Sequence, residues 1–168
     1  MKAFHGLLCR TVLLFALIAA PALTAAEQSI SWTEYLRFTD VQIHAAGEEG
    51  RYLVGVWTMT GLAEFSDGEV AIITATGTLD YDRGLGRYGG WVEYRFEDGS
   101  TKLARLEGEV TERLPDGGNL QEGTFTYASG TGRFDGIEGS GTFSGRQYRP
   151  AEDGGDSLLR VEGTYSVP

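Results

Sequence analysis

The stretch GTFTYASGTGRFDGIEGSGTFSG, residues 123–145, holds seven glycines, at positions 123, 130, 132, 136, 139, 141 and 145. A glycine-rich run of this density suggests either a phosphate-cradling loop or tightly packed strands. The loop reading fails. No helical pattern follows, and no Lys-Ser/Thr pair closes the motif. A strand–turn–strand reading fits. Residues 124–127 form a strand, Gly130-Thr131-Gly132 a tight bend, and Phe134 and Ile137 plug the core. Gly139-Ser140-Gly141 then supplies small residues where strands approach closely or a sheet coils at a barrel corner.

Working outward, the same β character continues. Short β-rich runs cover residues 30–38, 52–65, 69–81, 88–97, 101–112, 120–128, 137–148 and 158–167. Turn signals separate them: Ser66-Asp67-Gly68, Asp98-Gly99, Pro115-Asp116-Gly117-Gly118 and Asp153-Gly154-Gly155. Residues 39–50 and 149–157 read as polar loops. No window keeps a helical stripe beyond two turns. Eight runs with short connections predict an all-β, eight-stranded antiparallel barrel, because an open sheet of that size leaves two sticky edges.

One hairpin can be read residue by residue. With Asp98-Gly99 as a two-residue loop, Tyr94 faces Leu103 and Val92 faces Arg105. Alternation then puts Phe96, Tyr94, Val92 and Leu103 on the core face. Continuing that face carries Arg105 and Glu107 inward, where a charged pair is costly unless paired or wet. Tyr94, Arg105 and Glu107 are therefore the expected polar lining of an interior cavity and the candidate ligand-binding residues.

The run SGTGRFDGIEGSGTF, residues 129–143, resembles the signature of bacterial secreted proteins of the allene oxide cyclase barrel-like group, which are related in fold to plant allene oxide cyclases and dirigent proteins. Glu97-Asp98-Gly99-Ser100, Leu106-Glu107-Gly108, and Gly86, Tyr88 and Gly89 fit the same pattern. The resemblance covers residues 50–148. It implies an eight-stranded antiparallel barrel around a largely apolar cavity, and it does not imply the cyclase reaction.

The N-terminus reads as an export signal. Lys2 and Arg10 precede the apolar run VLLFALIAA, residues 12–20, and a small-residue stretch ends at Ala26. Cleavage there leaves a single domain over residues 27–168, expected in the periplasm or outside the cell. The only cysteine, Cys9, precedes the apolar run, so the mature domain holds no disulfide. Its 12 Lys and Arg against 24 Asp and Glu give a net charge of −12, which repels nucleic acid and anionic membranes. No later run is apolar enough to cross a membrane.

Lesser motifs point to no chemistry of their own. Gly55-Val56-Trp57 matches the lipocalin G-x-W, but Trp57 reads as a core plug. His44 is the only histidine after the leader, so neither a zinc site nor a Ser-His-Asp triad is expected. Asp80-Tyr81-Asp82-Arg83-Gly84 lacks the ligand set of a calcium loop and reads as a turn. Trp91, opposite in face to Tyr94, is a candidate outer aromatic for a homo-oligomer contact. The expectation is a barrel that binds a small apolar or amphipathic molecule, with no cofactor, metal or catalytic residue. Two alternatives stand beside it: a cyclase or isomerase of a lipid-like substrate steered by Glu107 or another inward acid, and a structural barrel with a filled interior.

Overall fold

The structure is a computed structural model that describes residues 26–168. The expected leader lies outside the described residues except at Ala26. Eight strands follow in order: β1 Gln28–Ala46, β2 Tyr52–Phe65, β3 Val70–Asp82, β4 Leu85–Phe96, β5 Thr101–Arg113, β6 Asn119–Thr131, β7 Glu138–Gln147 and β8 Ser157–Ser166. Each pairs antiparallel with the next, and β8 returns to pair with β1, closing the barrel. Closure leaves no strand with an edge free along its whole length, although β8 pairs only with Gln28–Leu36 of β1.

Two expectations about the chain need correction. Residues 39–46 are not a loop but the second half of β1. The first half of β2 needs a partner, and a bulge between Phe38 and Asp40 lets β1 follow it to Ala46 opposite Tyr52. His44 accordingly sits on a strand. The β4–β5 hairpin closes with three residues, Glu97-Asp98-Gly99, not two. Gly99 adopts φ of 82°. The Phe96 amide donates to the Ser100 carbonyl at 3.0 Å and the Gly99 amide to the Phe96 carbonyl at 3.0 Å. Tyr94 therefore faces Lys102, and Trp91 faces Arg105. The extra loop residue inverts the parity of β5. Lys102, Ala104 and Leu106 are buried, whereas Arg105 and Glu107 point outward.

The 123–145 segment does what its glycines predict. A Cβ on Gly141 would run into the Phe125 ring at 2.5 Å, so β7 can lie over that ring only without a side chain there. After β6, a single 3₁₀ turn, Gly132–Phe134, drops Phe134 into one end of the barrel. Its ring packs 4.9 Å from Phe96 and 6.3 Å from Tyr165. The rings of Phe65 and Tyr127 and the aliphatic side chain of Ile137 belong to the same buried cluster. Arg133 secures it from outside, with a bidentate pair to Glu69 at 2.6 and 2.7 Å. The other end of the barrel is open.

Candidate functional site

Glu34 lies in the row Trp32, Glu34, Leu36 that β1 turns inward, and it is only 5% exposed. Its carboxylate Oε1 accepts a hydrogen bond from the Trp32 indole Nε1 at 2.9 Å. The Tyr94 hydroxyl reaches across the barrel from β4 and donates to the same oxygen at 2.6 Å. Both bonds fall on Oε1, and Oε2 has no hydrogen-bond partner among the described residues. Burial pushes the carboxyl above the usual carboxylate range, while the bonds from Tyr94 and Trp32 pull it back in part. Burial and the adjacent carboxylate keep the Tyr94 hydroxyl protonated and donating.

From Glu34 toward the open end runs a cavity of about 60 Å³. Its walls are mostly apolar, with Met59, Ala75, Val92, Leu106, Phe125 and Phe143 among them. At ~10–15 Å³ per water it holds on the order of four to six waters. A second polar pair stands in its wall, where the Tyr88 hydroxyl donates to Gln121 Oε1 at 2.7 Å. The cavity meets a wide open vestibule of about 690 Å³ at the barrel mouth. Phe38, Leu79, Tyr81 and Gln147 line both spaces and form the neck between them. The Tyr81 phenol is pushed up to about 12 by burial, so it too stays neutral. Arg51, Arg83 and Arg113 stand around the vestibule with Glu48 and Glu49. The turn between β3 and β4 is ordinary, and its Asp82 is engaged by Arg51 at 2.6 Å.

The structure divides the three residues expected to line the interior. Tyr94 does line the cavity. Arg105 and Glu107 form a pair 3.3 Å apart on the outer surface, with side chains 65% and 70% exposed. The reversed parity of β5 puts Lys102 where an apolar partner for Tyr94 was expected. Its ammonium lies at the plugged end, 4.3 Å from the Phe134 ring centre, 4.6 Å from Tyr165 and 5.0 Å from Phe65. Burial pushes its amine down to about 8. The ring faces favour the cation and work in the opposite sense. Sequence reasoning missed Glu34 altogether. Among the described residues no group of three or more His, Cys, Asp or Glu is placed to hold a metal ion.

The barrel thus places an acid, Glu34, and two phenols, Tyr94 and Tyr88, along one cavity wall, and a barrel of similar path is found among solved structures. The pterocarpan synthase dirigent protein GePTS1 superposes with a TM-score of 0.50 over 93% of this chain and 100% of that one, at 15% sequence identity. The fold is similar to that of a dirigent protein. At this identity the likeness concerns the path of the dirigent-type barrel alone. The sequence matches no family profile and no curated protein.

Proposed function

We propose that this chain is an exported barrel of the allene oxide cyclase-like kind that binds a small apolar or amphipathic molecule. The narrow apolar end of the ligand enters the cavity beside Glu34, and its remainder occupies the vestibule. The observation that carries this reading is Glu34 itself. A carboxyl buried in an apolar wall costs stability unless it is fully paired. Here its only described partners leave one oxygen unengaged, beside a cavity that connects to solvent. Groups kept at such a cost are candidates for function. The apolar lining supplies affinity, and Glu34, Tyr88 and Gln121 set orientation. The leader-like N-terminus supports export.

A second reading is favoured by the same carboxyl. An acid held above its usual range, oriented by Tyr94 and Trp32, can donate a proton to a ligand oxygen or steer developing positive charge. In that reading the barrel is a cyclase or isomerase of a lipid-like substrate, and Glu34 takes the part that sequence reasoning gave to Glu107.

Thermal shift with a panel of medium-chain fatty acids, fatty alcohols and simple phenols tests the binding reading. We expect at least one class to raise the melting temperature in a concentration-dependent way. Ala75→Leu, which fills the cavity, should abolish that rise and leave the circular-dichroism spectrum unchanged. If no class shifts the parent, or Ala75→Leu shifts equally, the ligand does not occupy this cavity. For the second reading, Glu34→Gln should retain binding and lose turnover.

A further inference from the structure

The two oxygens of Glu34 are not equivalent. A neutral carboxyl has a carbonyl oxygen with two lone pairs and a hydroxyl oxygen that carries the proton. Oε1 accepts from the Trp32 indole at 2.9 Å and from the Tyr94 hydroxyl at 2.6 Å, so both of its lone pairs are engaged. The indole is a donor only. The proton of a neutral Glu34 therefore has one place left, on Oε2. Among the described residues, the buried side-chain polar atoms sealed off without a partner are Asn119 Oδ1, the Tyr127 hydroxyl and Arg146 Nε. Oε2 also lacks a partner but is not sealed, so it opens on the cavity that Glu34 lines. Gln121, in the same cavity wall, repeats the arrangement. Its Oε1 accepts from Tyr88, and its Nε2 keeps its protons with no partner among the described residues.

We propose that the cavity selects a ligand whose narrow end carries an acceptor-only oxygen, the carbonyl of a slim ketone or ester, and that Oε2–H donates to it. This rests on the interior being a ligand site and goes further by fixing the chemistry of the buried end. Other ends fit less well. A carboxylate brings a second negative charge beside Glu34. An ammonium needs Glu34 ionised and must pass Arg51, Arg83 and Arg113 in the vestibule. An alcohol accepts from Oε2–H but carries a proton of its own into a mostly apolar wall. A cavity of about 60 Å³ admits a chain with its carbonyl and no fused ring system. Affinity then follows the protonation of Glu34. Burial favours its neutral form, and the bonds from Tyr94 and Trp32 oppose this in part. The other titratable groups facing the space are phenols: Tyr88 and Tyr94 on β4, Tyr127 on β6 and Tyr81 at the neck. Burial raises all four, so they stay neutral while Glu34 titrates. Apart from Tyr81, no titratable side chain of β2, β3, β7 or β8 lines the cavity among the described residues. On β5, Lys102 lies at the plugged end with its amine pushed down to about 8, so it needs a control of its own.

Isothermal titration of the protein as the cell processes it, with methyl hexyl ketone, decides the matter. The alcohol, the primary amine and the fatty acid of matching chain length are run beside it. At about pH 5.5 the ketone should bind most tightly of these, and its affinity should fall roughly tenfold by about pH 9, as Oε2 loses the proton it donates. Glu34→Gln keeps Oε1 as acceptor and puts an amide N–H in place of Oε2–H, so it should bind the ketone with no pH slope. Glu34→Leu should weaken the ketone roughly tenfold. Lys102→Met should keep the slope. The infrared carbonyl stretch of the bound ketone should lie below its value in hexane for the parent and for Glu34→Gln, and return to that value in Glu34→Leu. Circular dichroism checks that each variant keeps the barrel. Tighter binding of the alcohol, amine or acid at the lower pH, a ketone affinity that ignores pH, a slope that survives in Glu34→Gln, or a slope lost in Lys102→Met would overturn the proposal and leave the interior a ligand site. Binding of none of these probes would remove that site and the proposal together.

Discussion

Glu34 and Lys102 are the two charges the barrel keeps inside, and their pH signatures run in opposite directions. Burial raises Glu34 above its ordinary 4.5. Above that pH the unfolded chain loses the proton first, so folding loses stability as pH rises through the native value. Glu34→Gln keeps an oxygen that can accept from Trp32 and Tyr94 and removes the buried charge. It should raise stability by about 1–2 kcal/mol at pH 7–8, with no gain below pH 4.5, as read by thermal melts across that range. Lys102 is depressed from 10.5 to about 8. Between those values the unfolded chain binds the extra proton, so stability grows as pH rises through that window. Lys102→Met fills the same space without the charge and places a polarisable sulfur among the rings. We expect a gain of about 1 kcal/mol at pH 7 that shrinks to nothing by pH 10.5. A loss at pH 7 would mean that the ring faces outweigh burial. In principle the sequence displays Glu34. It shares parity with Trp32, Leu36 and Phe38, which form an apolar row. Pattern reading takes a lone acid as a mark of the outer face, and only the closed barrel shows that β1 has no other face to bury.

At the scale of elements, strands and turns were legible because Asp-Gly and Gly-Gly signals punctuate the chain at short spacing. The plug was legible too, since Phe134 and Ile137 are isolated apolar residues inside a glycine-rich bend. The parity of β5 was not. Asp98-Gly99 serves a two-residue loop or the last two places of a three-residue one, and one residue of difference exchanges the faces of a whole strand. The side chain of Asp98 favours the longer loop by accepting from the Ser100 amide at 2.9 Å. The extent of β1 was also hidden. Val41, Ile43 and Ala45 do alternate with Asp40, Gln42 and His44, a short strand signal that the neighbouring Gly47-Glu48-Glu49-Gly50 turn residues mask. Where β7 crosses Phe125, the fit is exact enough to test. Gly141→Ala places a methyl into that ring and into the Glu162 carbonyl. It should cost about 1–3 kcal/mol, seen as a lower urea midpoint at unchanged m-value. An unchanged midpoint would show that the strands are not so closely approached.

For the whole molecule, one end is sealed by aromatic rings and the Arg133–Glu69 pair, and the other opens through a neck of four residues. That polarity makes the interior a site with a single entrance, and it gives Glu34 a position between plug and mouth. No disulfide holds the barrel, so its stability rests on strand closure and on the aromatic core. Everything proposed for the interior turns on Glu34 being a buried carboxyl that faces an enterable space. NMR titration of the ¹³C-labelled glutamate carboxyl carbons, with Glu34→Gln as the assignment control, tests it most directly. We expect one glutamate that titrates clearly above the others and shifts again when a ligand from the thermal panel is added. A Glu34 signal that titrates with the surface glutamates and ignores the ligand would contradict it.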